Sequence, residues 1–249
     1  PSPFHDGERQ VQERLGDRDV ERWARGAIRG FMPDQHRAFY EDQPFMIASA
    51  RDAAGRPWAT VLEGWPGFVH SPDPGSLTIS ARPVAGDALE EAFVEGADVG
   101  FIGIELATRR RNRVNGTVAS AGAEGFRFAV GQSFGNCPQY IRARDVRWST
   151  EAVSGEVVRG SRLSATQTAW IRSADTFFIA TGYRGKGDDE AFGMDVRFSS
   201  YKGVDGMGPL YTPFETILAE SDVITLHCPL MPQTRNLIGT AEFAAMRKR

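Results

Sequence analysis

The chain has 249 residues and a formal net charge of −3, with 29 Lys and Arg against 32 Asp and Glu, so no basic excess marks it for nucleic acid or an anionic membrane surface. Hydrophobic residues at 41% and charged residues at 24% are those of a globular protein, which excludes wholesale disorder. No run approaches the roughly 18 apolar residues of a membrane-spanning helix, and the opening PSPFHDGERQVQER has no apolar core of a signal peptide.

Residues 8–29 carry Val11, Leu15, Val20, Trp23, Ala27 and Ile28 at helical spacing, with a break expected at Gly16. Met32-Pro33-Asp34 opens a second helix, Pro33 standing near its first position. PFMIASAR (44–51) and WATVLE (58–63) then read as a β-hairpin around a turn in which Gly55 takes a positive φ. GWPGFV (64–69) is compact and aromatic, SPDPGS (71–76) is a turn, and LTISAR (77–82) is a third strand. DALEEAFVEG (87–96) predicts a short helix ended by Gly96, and DVGFIGIEL (98–106) an apolar strand. Residues 113–121 and 125–132 form a further hairpin, and FGNCPQYIRARD (134–145) predicts a helical turn opening at Asn136. One helix-capped antiparallel barrel is therefore expected between about 33 and 148.

The chain then starts again. LSATQTAWIRSADTFFIATGYRGKG (163–187) gives a helix, an apolar strand and a Gly-rich turn in the order of residues 34–57, with Ile179-Ala180 aligned on Ile47-Ala48. The pattern fits an internal repeat and equally fits two unrelated helix–strand units. After Val196 the character changes. FETILAESD (214–222) is helical, VITLHCPL (223–230) starts as a strand of the kind buried on both faces of a parallel sheet, and a last helix opens near Thr240 with Glu242 in its first turn. Helix, strand, loop and helix make a slice of a doubly wound α/β fold.

Arg109, Arg110, Arg111 and Arg113 form the densest charge cluster. If the segment is extended, Arg109, Arg111 and Arg113 share one face, and three guanidiniums on a face suit a phosphate; a solvated strand edge is the plainer alternative. Gln132, Ser133, Asn136 and Cys137 precede the expected helical turn, whose free N–H groups favour anions. Cys137 is a reactive thiol if a basic neighbour lowers its pKa and otherwise a small buried hydrophobe. With Cys228 it makes two cysteines in unrelated segments, which points to a reducing cytoplasm and no disulfide framework. His36 and His70 have no ligand-like spacing, so no metal site is assigned, and no residue stands out as catalytic. Gly185-Lys186-Gly187 begins like a dinucleotide fingerprint, but Glu190 occupies the third glycine position, and the two glycines read as hairpin turn residues.

FMPDQHRAFYEDQPFMIAS, GRPWATVLEGWPGFVHSPDP, FIGIELATRRRNRVNG and QSFGNCPQYIRARD resemble, in order, the pyridoxamine 5′-phosphate oxidase-like flavin-binding proteins, over roughly residues 4–196. That resemblance implies a split β-barrel, a flavin mononucleotide (FMN) site and a homodimer through the barrel. It implies that Arg109, Arg111 and Arg113 meet the FMN phosphate, with Arg56, Trp58, Thr60, Gln132 and Ser133 near the flavin. AFGMDVRFSSYKG, LAESDVITLHCPLMPQTRNLIG and AEFAAMR are similar to the nucleotide-binding domain of D-isomer-specific 2-hydroxyacid dehydrogenases, over about residues 191–249. There His227, Cys228, Pro229 and Thr234 are implied on the nucleotide side. The Gly-rich phosphate loop and the family's later catalytic Arg, Glu and His are missing, so NAD is not expected to bind and dehydrogenase activity is not expected. Both resemblances include AFGMDV (191–196), where the sequence reads as a chimera.

The expected fold class is α+β: an antiparallel split β-barrel with flanking helices, followed by a truncated α/β, Rossmann-like fragment. The expected division is an N-terminal helical segment (1–32), a flavin-type barrel (33–150), the start of an incomplete second barrel (161–196) and a dehydrogenase fragment (197–249). The expected function is an FMN-binding, oxidoreductase-like protein impaired by loss of its second half. The alternatives are a fragment of an NAD-dependent D-2-hydroxyacid dehydrogenase and a non-catalytic ligand-binding or dimerising barrel. Its partner would be a small-molecule substrate, with no nucleic acid and no membrane.

Overall fold

The computed structural model describes residues 2, 4, 6–16, 19–137, 141–147, 149, 157–180, 199, 211–221, 224, 226, 232, 234–246. The chain divides into two compact units, one of Pro1–Phe4 and Asp19–Arg184, the other of His5–Arg18 and Gly185–Arg249.

Helix α1 (Asp6–Leu15), which belongs to the second unit, ends at Gly16, whose φ is 69°. Helix α2 (Asp19–Ala27) opens the main stretch of the first unit. Helix α3 (Asp34–Glu41) opens behind Pro33, whose carbonyl accepts from the amides of His36 and Arg37. Strands β1 (Phe45–Arg51) and β2 (Pro57–Glu63) form the expected hairpin, with Gly55 at φ 80°.

Strand β3 (Val69–Asp73) was not legible as one, because His70, Ser71, Pro72 and Asp73 are polar or lack an amide hydrogen. It lies at a sheet edge, where a proline leaves no ladder bond unmade, and among the described residues pairs only with β4 (Ser76–Ile79). The predicted helix at 87–96 is instead a chain of tight turns. Glu90 and Ala92 donate three residues back, and the Phe93 carbonyl is taken by Arg82. Leu89 and Phe93 still bury completely. Strands β5 (Asp98–Glu105), β6 (Arg110–Gly122) and β7 (Gly125–Asn136) complete the sheet. β7 runs on through Asn136, paired with Arg111, where a helical turn was expected to open.

All pairings are antiparallel, in the order β2-β1-β5-β6-β7-β4-β3. Directly opposed residues share a face. One face can therefore be followed across the sheet through Leu62–Met46, Ala48–Phe101–Val114–Ser133, Val118–Phe128–Leu77 and Ile79–Val69. Every apolar member is buried in one core with Phe39, Tyr40, Leu89 and Phe93. A single core drawn from all seven strands means the sheet wraps around it, as a barrel-like sheet does. The fold is α+β.

Beyond the barrel, helix α4 (Ala165–Ser173) starts at a capping box, in which Gln167 N–H donates to Ser164 Oγ and Ser164 N–H to Gln167 Oε1. The strand predicted after it does not form: residues 176–180 have no ladder partner, and Phe177 and Ile179 stand exposed. A strand's backbone groups need a neighbouring strand, and none pairs with these among the described residues.

In the second unit, helix α5 (Phe214–Glu220) follows Pro213, and helix α6 (Thr240–Ala245) carries Glu242 in its first turn. Ile217, Leu218 and Leu237 are buried. Of the predicted strand 223–230, only Ile224 and Leu226 are described; neither lies in a ladder, and Leu226 is 56% exposed. AFGMDV and the Gly185/Gly187 turn lie outside the described residues. Among the described residues no helix is long and apolar enough to cross a membrane.

Candidate functional site

The arginine cluster divides three ways. Arg111 and Arg113 leave β6 on the face opposite buried Asn112 and Val114. Arg109 does not join them, which corrects the expected three-arginine face. It sits before the strand at φ 64°, its amide donating to the Glu105 carbonyl at 2.8 Å, so the period-2 alternation starts only after it. Arg110 lies on the Asn112 side, its guanidinium 4.9 Å from the centre of the Phe39 ring and bonded to the Gln35 carbonyl at 2.7 Å.

Across the outward face, opposed residues run Val61–Ile47–Ile102–Arg113–Phe134 over five neighbouring strands. An apolar row thus leads to a guanidinium. Beside it, Arg111 is flanked by Ile104 and Asn136. Arg111 Nη2 donates to the Cys137 carbonyl at 2.7 Å, while its Nε is buried with no partner among the described residues. Asn136 Oδ1 is likewise buried and unpartnered. Desolvation first, and then the like charge of Arg111, hold the Arg113 guanidinium below its ordinary range. Two guanidiniums on one face, one of them with a buried unused donor, next to an unused amide oxygen, are suited to an anion that also carries hydroxyls. The residues present therefore fit the phosphate end of FMN.

The other barrel candidates are engaged locally. Asp52 accepts from the amides of Ala54 and Arg56, from Arg56 Nε at 2.7 Å and from Trp58 Nε1 at 3.0 Å. Desolvation pushes the Asp52 carboxyl up, but the bonds from the Arg56 amide, Trp58 Nε1 and the Arg56 guanidinium, with the charge of Arg56, outweigh it and bring it down to about 2. Arg56 and Trp58 thus fasten the β1–β2 turn, and Thr60 faces inward, donating to Asp87 Oδ2 at 2.6 Å. Gln132 accepts from Asn115 Nδ2 at 3.1 Å on the Arg111/Arg113 face. Ser133 lies on the opposite face, fully buried, 2.9 Å from His36 Nδ1. Cys137 is exposed and free.

Sequence reasoning missed the polar residues under α3. His36, Tyr40 and Gln43 are buried, as is Asn112 of β6. Their spacing, 36–40–43 with Phe39 between, is a helix face and was available as a signal. Tyr40 Oη, Gln43 Oε1 and Asn112 Nδ2 find no partner among the described residues. Burial raises the Tyr40 phenol well above its usual range.

In the second unit, Thr234 is buried and its carbonyl accepts from Leu237 N–H at 3.2 Å, whereas His227, Cys228 and Pro229 lie outside the described residues. Among the described residues, no group of three His, Cys, Asp or Glu side chains is placed to hold a metal.

Comparison with known proteins bears chiefly on the C-terminal part. Residues 182–249 match the family model for the D-isomer specific 2-hydroxyacid dehydrogenase, NAD binding domain. The chain is 46% identical over 59 residues to glycerate dehydrogenase of Methylorubrum extorquens, covering 24% of this chain and 18% of the relative. It is 31% identical over 111 residues to D-lactate dehydrogenase of Escherichia coli, covering 43% of this chain and 31% of the relative. The chain thus spans a third or less of the length of these curated relatives. Among solved structures, a candidate pyridoxamine 5′-phosphate oxidase from Lactobacillus delbrueckii aligns with a TM-score of 0.34 and 16% identity, over 43% of this chain and 95% of that one.

The chain is therefore two-part, an antiparallel barrel joined to a segment like an oxidoreductase NAD-binding domain. The expectation that NAD does not bind is overturned. That expectation rested on a missing glycine loop and on missing neighbour strands for the 223–230 segment, but the C-terminal part matches the NAD-binding domain as such, and its curated relatives are dehydrogenases; both point to NAD(H).

Proposed function

We propose that this chain is an oxidoreductase whose C-terminal segment binds NAD(H). The observation that carries this reading is the match of residues 182–249 to the dehydrogenase NAD-binding domain. The substrate class it suggests is a small 2-hydroxy acid, by likeness to the glycerate and D-lactate dehydrogenases. Titrating the full chain with NADH and following nicotinamide fluorescence tests it. Saturable binding that excess NAD+ competes away is expected. No change in fluorescence at millimolar protein-accessible NADH, with calorimetry equally silent, refutes the reading.

A second reading concerns the barrel and is favoured by the unpartnered, buried Arg111 Nε beside Arg113. It gives the barrel an FMN site, with the phosphate on the two guanidiniums and the isoalloxazine ring on the apolar row Ile102, Ile47 and Val61. Flavin would supply the redox chemistry, and the protein the charge and the platform. This reading also takes two barrels as partners in a homodimer, which light scattering on the purified protein checks.

A further inference from the structure

The buried side-chain atoms without a partner among the described residues fall into two groups. Arg111 Nε and Asn136 Oδ1 lie on the outward side of the sheet and belong to the anion site. Tyr40 Oη, Gln43 Oε1 and Asn112 Nδ2 lie on its inner side, under α3, and serve neither cofactor reading. Tyr40 is completely buried, Gln43 is 2% exposed and Asn112 4%.

The second group converges on one layer between the end of α3 and strands β5 and β6. Gln43 N–H donates to the Tyr40 carbonyl at 3.2 Å, which carries the turn of α3 on to Gln43. Residues three apart on such a turn are neighbours. Gln43 Nε2 donates to the Phe39 carbonyl at 2.7 Å, which fixes the side-chain amide and turns Oε1 away from the helix backbone. The Gln43 side chain lies over Gly103, where an added Cβ would meet its Cγ at 3.3 Å. Gly103 stands directly opposite Asn112, so the two share a face at close quarters. The charges that act on the Tyr40 phenol, after desolvation, are Arg110 and Arg113, which bracket Asn112 on β6.

There is also room beside Asn112. Its opposed residues are glycine on both neighbouring strands, Gly103 on β5 and Gly135 on β7. Phe39 and Gln43 cover Gly103, but a Cβ at Gly135 would meet only Asn112 Oδ1, at 3.6 Å, among the described residues. Oδ1 therefore faces Gly135, and Nδ2 faces the Gln43 side. His36 and Ser133, the nearest other buried polar side chains, hold each other at 2.9 Å.

We propose that Tyr40, Gln43 and Asn112 hold one buried water molecule, which joins the end of α3 to β6. The three groups offer one acceptor, one donor and a hydroxyl that is both, and a water complements each of them. It accepts from Asn112 Nδ2, donates to Gln43 Oε1 and shares a bond with Tyr40 Oη. Three such bonds are what a buried water ordinarily makes, and without it three desolvated polar atoms would go unpaid. Burial keeps the phenol proton in place, so the hydroxyl stays a donor as well as an acceptor.

NMR cross-relaxation between water and side-chain amides, measured on the full chain, tests the site. In the unaltered protein the Asn112 and Gln43 side-chain amides should each give a water cross-peak with the sign of a long-lived, bound water. In Tyr40→Phe, which removes the exchangeable phenol proton, both cross-peaks should persist. In Asn112→Leu, which fills the space and removes the donor, the one at Gln43 should be lost. No such cross-peak in the unaltered protein overturns the proposal. Cross-peaks that vanish in Tyr40→Phe also overturn it, because proton exchange at the phenol was then their source. One that survives at Gln43 in a folded Asn112→Leu does so too. The first two results decide the matter whether or not Asn112→Leu folds.

Discussion

Replacing both Arg111 and Arg113 with Met keeps length and apolar contact while removing two guanidiniums from the outward face of β6. If FMN is bound there, each arginine contributes a charge-assisted hydrogen bond to the phosphate, worth about 1.5–3 kcal/mol. The pair then accounts for about 3–6 kcal/mol, or between about a hundredfold and ten-thousandfold in Kd at 1.4 kcal/mol per tenfold. Arg113 is the more exposed of the two, so solvent screening places the loss toward the lower end. Arg109→Ala is the internal control: with its backbone in the left-handed turn ahead of the strand, Arg109 is not on that face, and its loss should change the affinity by less than about twofold. Quenching of flavin fluorescence at two salt concentrations measures the affinities, and circular dichroism confirms that the variants fold. An affinity unchanged in the double variant, or an Arg109→Ala loss as large as the double one, refutes the assignment. Failure of the unaltered protein to bind FMN removes the second reading altogether and leaves the NAD(H) reading untouched.

Three further outcomes follow from the barrel. Gly116→Ala would place a Cβ 1.9 Å from the Ala129 carbonyl oxygen, a backbone atom that cannot swing away, so a loss of about 1–3 kcal/mol or more is expected; a melting temperature within a degree of the parent would contradict this. Phe101→Ala empties a site in edge contact with Phe128 at 5.0 Å and stacked on Phe126 at 6.1 Å, and urea unfolding should show a loss of about 3–5 kcal/mol; a loss below about 1 kcal/mol would mean that the core collapses around it. The Asp52 carboxylate stabilises its turn above its ordinary 3.8 and stops doing so as the pH falls through about 2, so Trp58 emission should change over that interval and stay flat in Asp52→Asn; an identical change in both proteins would clear Asp52 of the effect.

Strong local grammar made much of the barrel legible. The break at Gly16, the start at Pro33 and the hairpin through Gly55 each rest on a backbone requirement that one residue meets. What failed depended on neighbours. Residues 177–180 have the apolar, β-branched look of β1, yet β1 is a strand because β2 and β5 lie on either side of it. β3 escaped notice for the converse reason, since an edge position tolerates a polar, proline-bearing strand that an interior one would not. At 87–96 helical spacing placed Leu89 and Phe93 correctly in the core, but Arg82 took the Phe93 carbonyl and the Gly96 amide went to the Val118 carbonyl, groups a helix would have used.

The candidate site shows the same division between pattern and context. Arg111 and Arg113 share a face by alternation alone, whereas the departure of Arg109 depends on where the β5–β6 turn ends. Arg56, Trp58 and Thr60 looked available because a sequence shows donors and not their acceptors; Asp52 and Asp87 take them up. The NAD(H) question turned on a different kind of inference. A missing glycine loop argues from one element, whereas the match over residues 182–249 draws on the whole segment. The compact units divide after Arg184, close to where that match begins. The chemistry of each part therefore has to be argued from its own residues: guanidiniums and an apolar row for the barrel, the dinucleotide-domain sequence for the C-terminal segment. Neither cofactor assignment supports the other, which is why the flavin and the nicotinamide titrations must be read as two separate experiments.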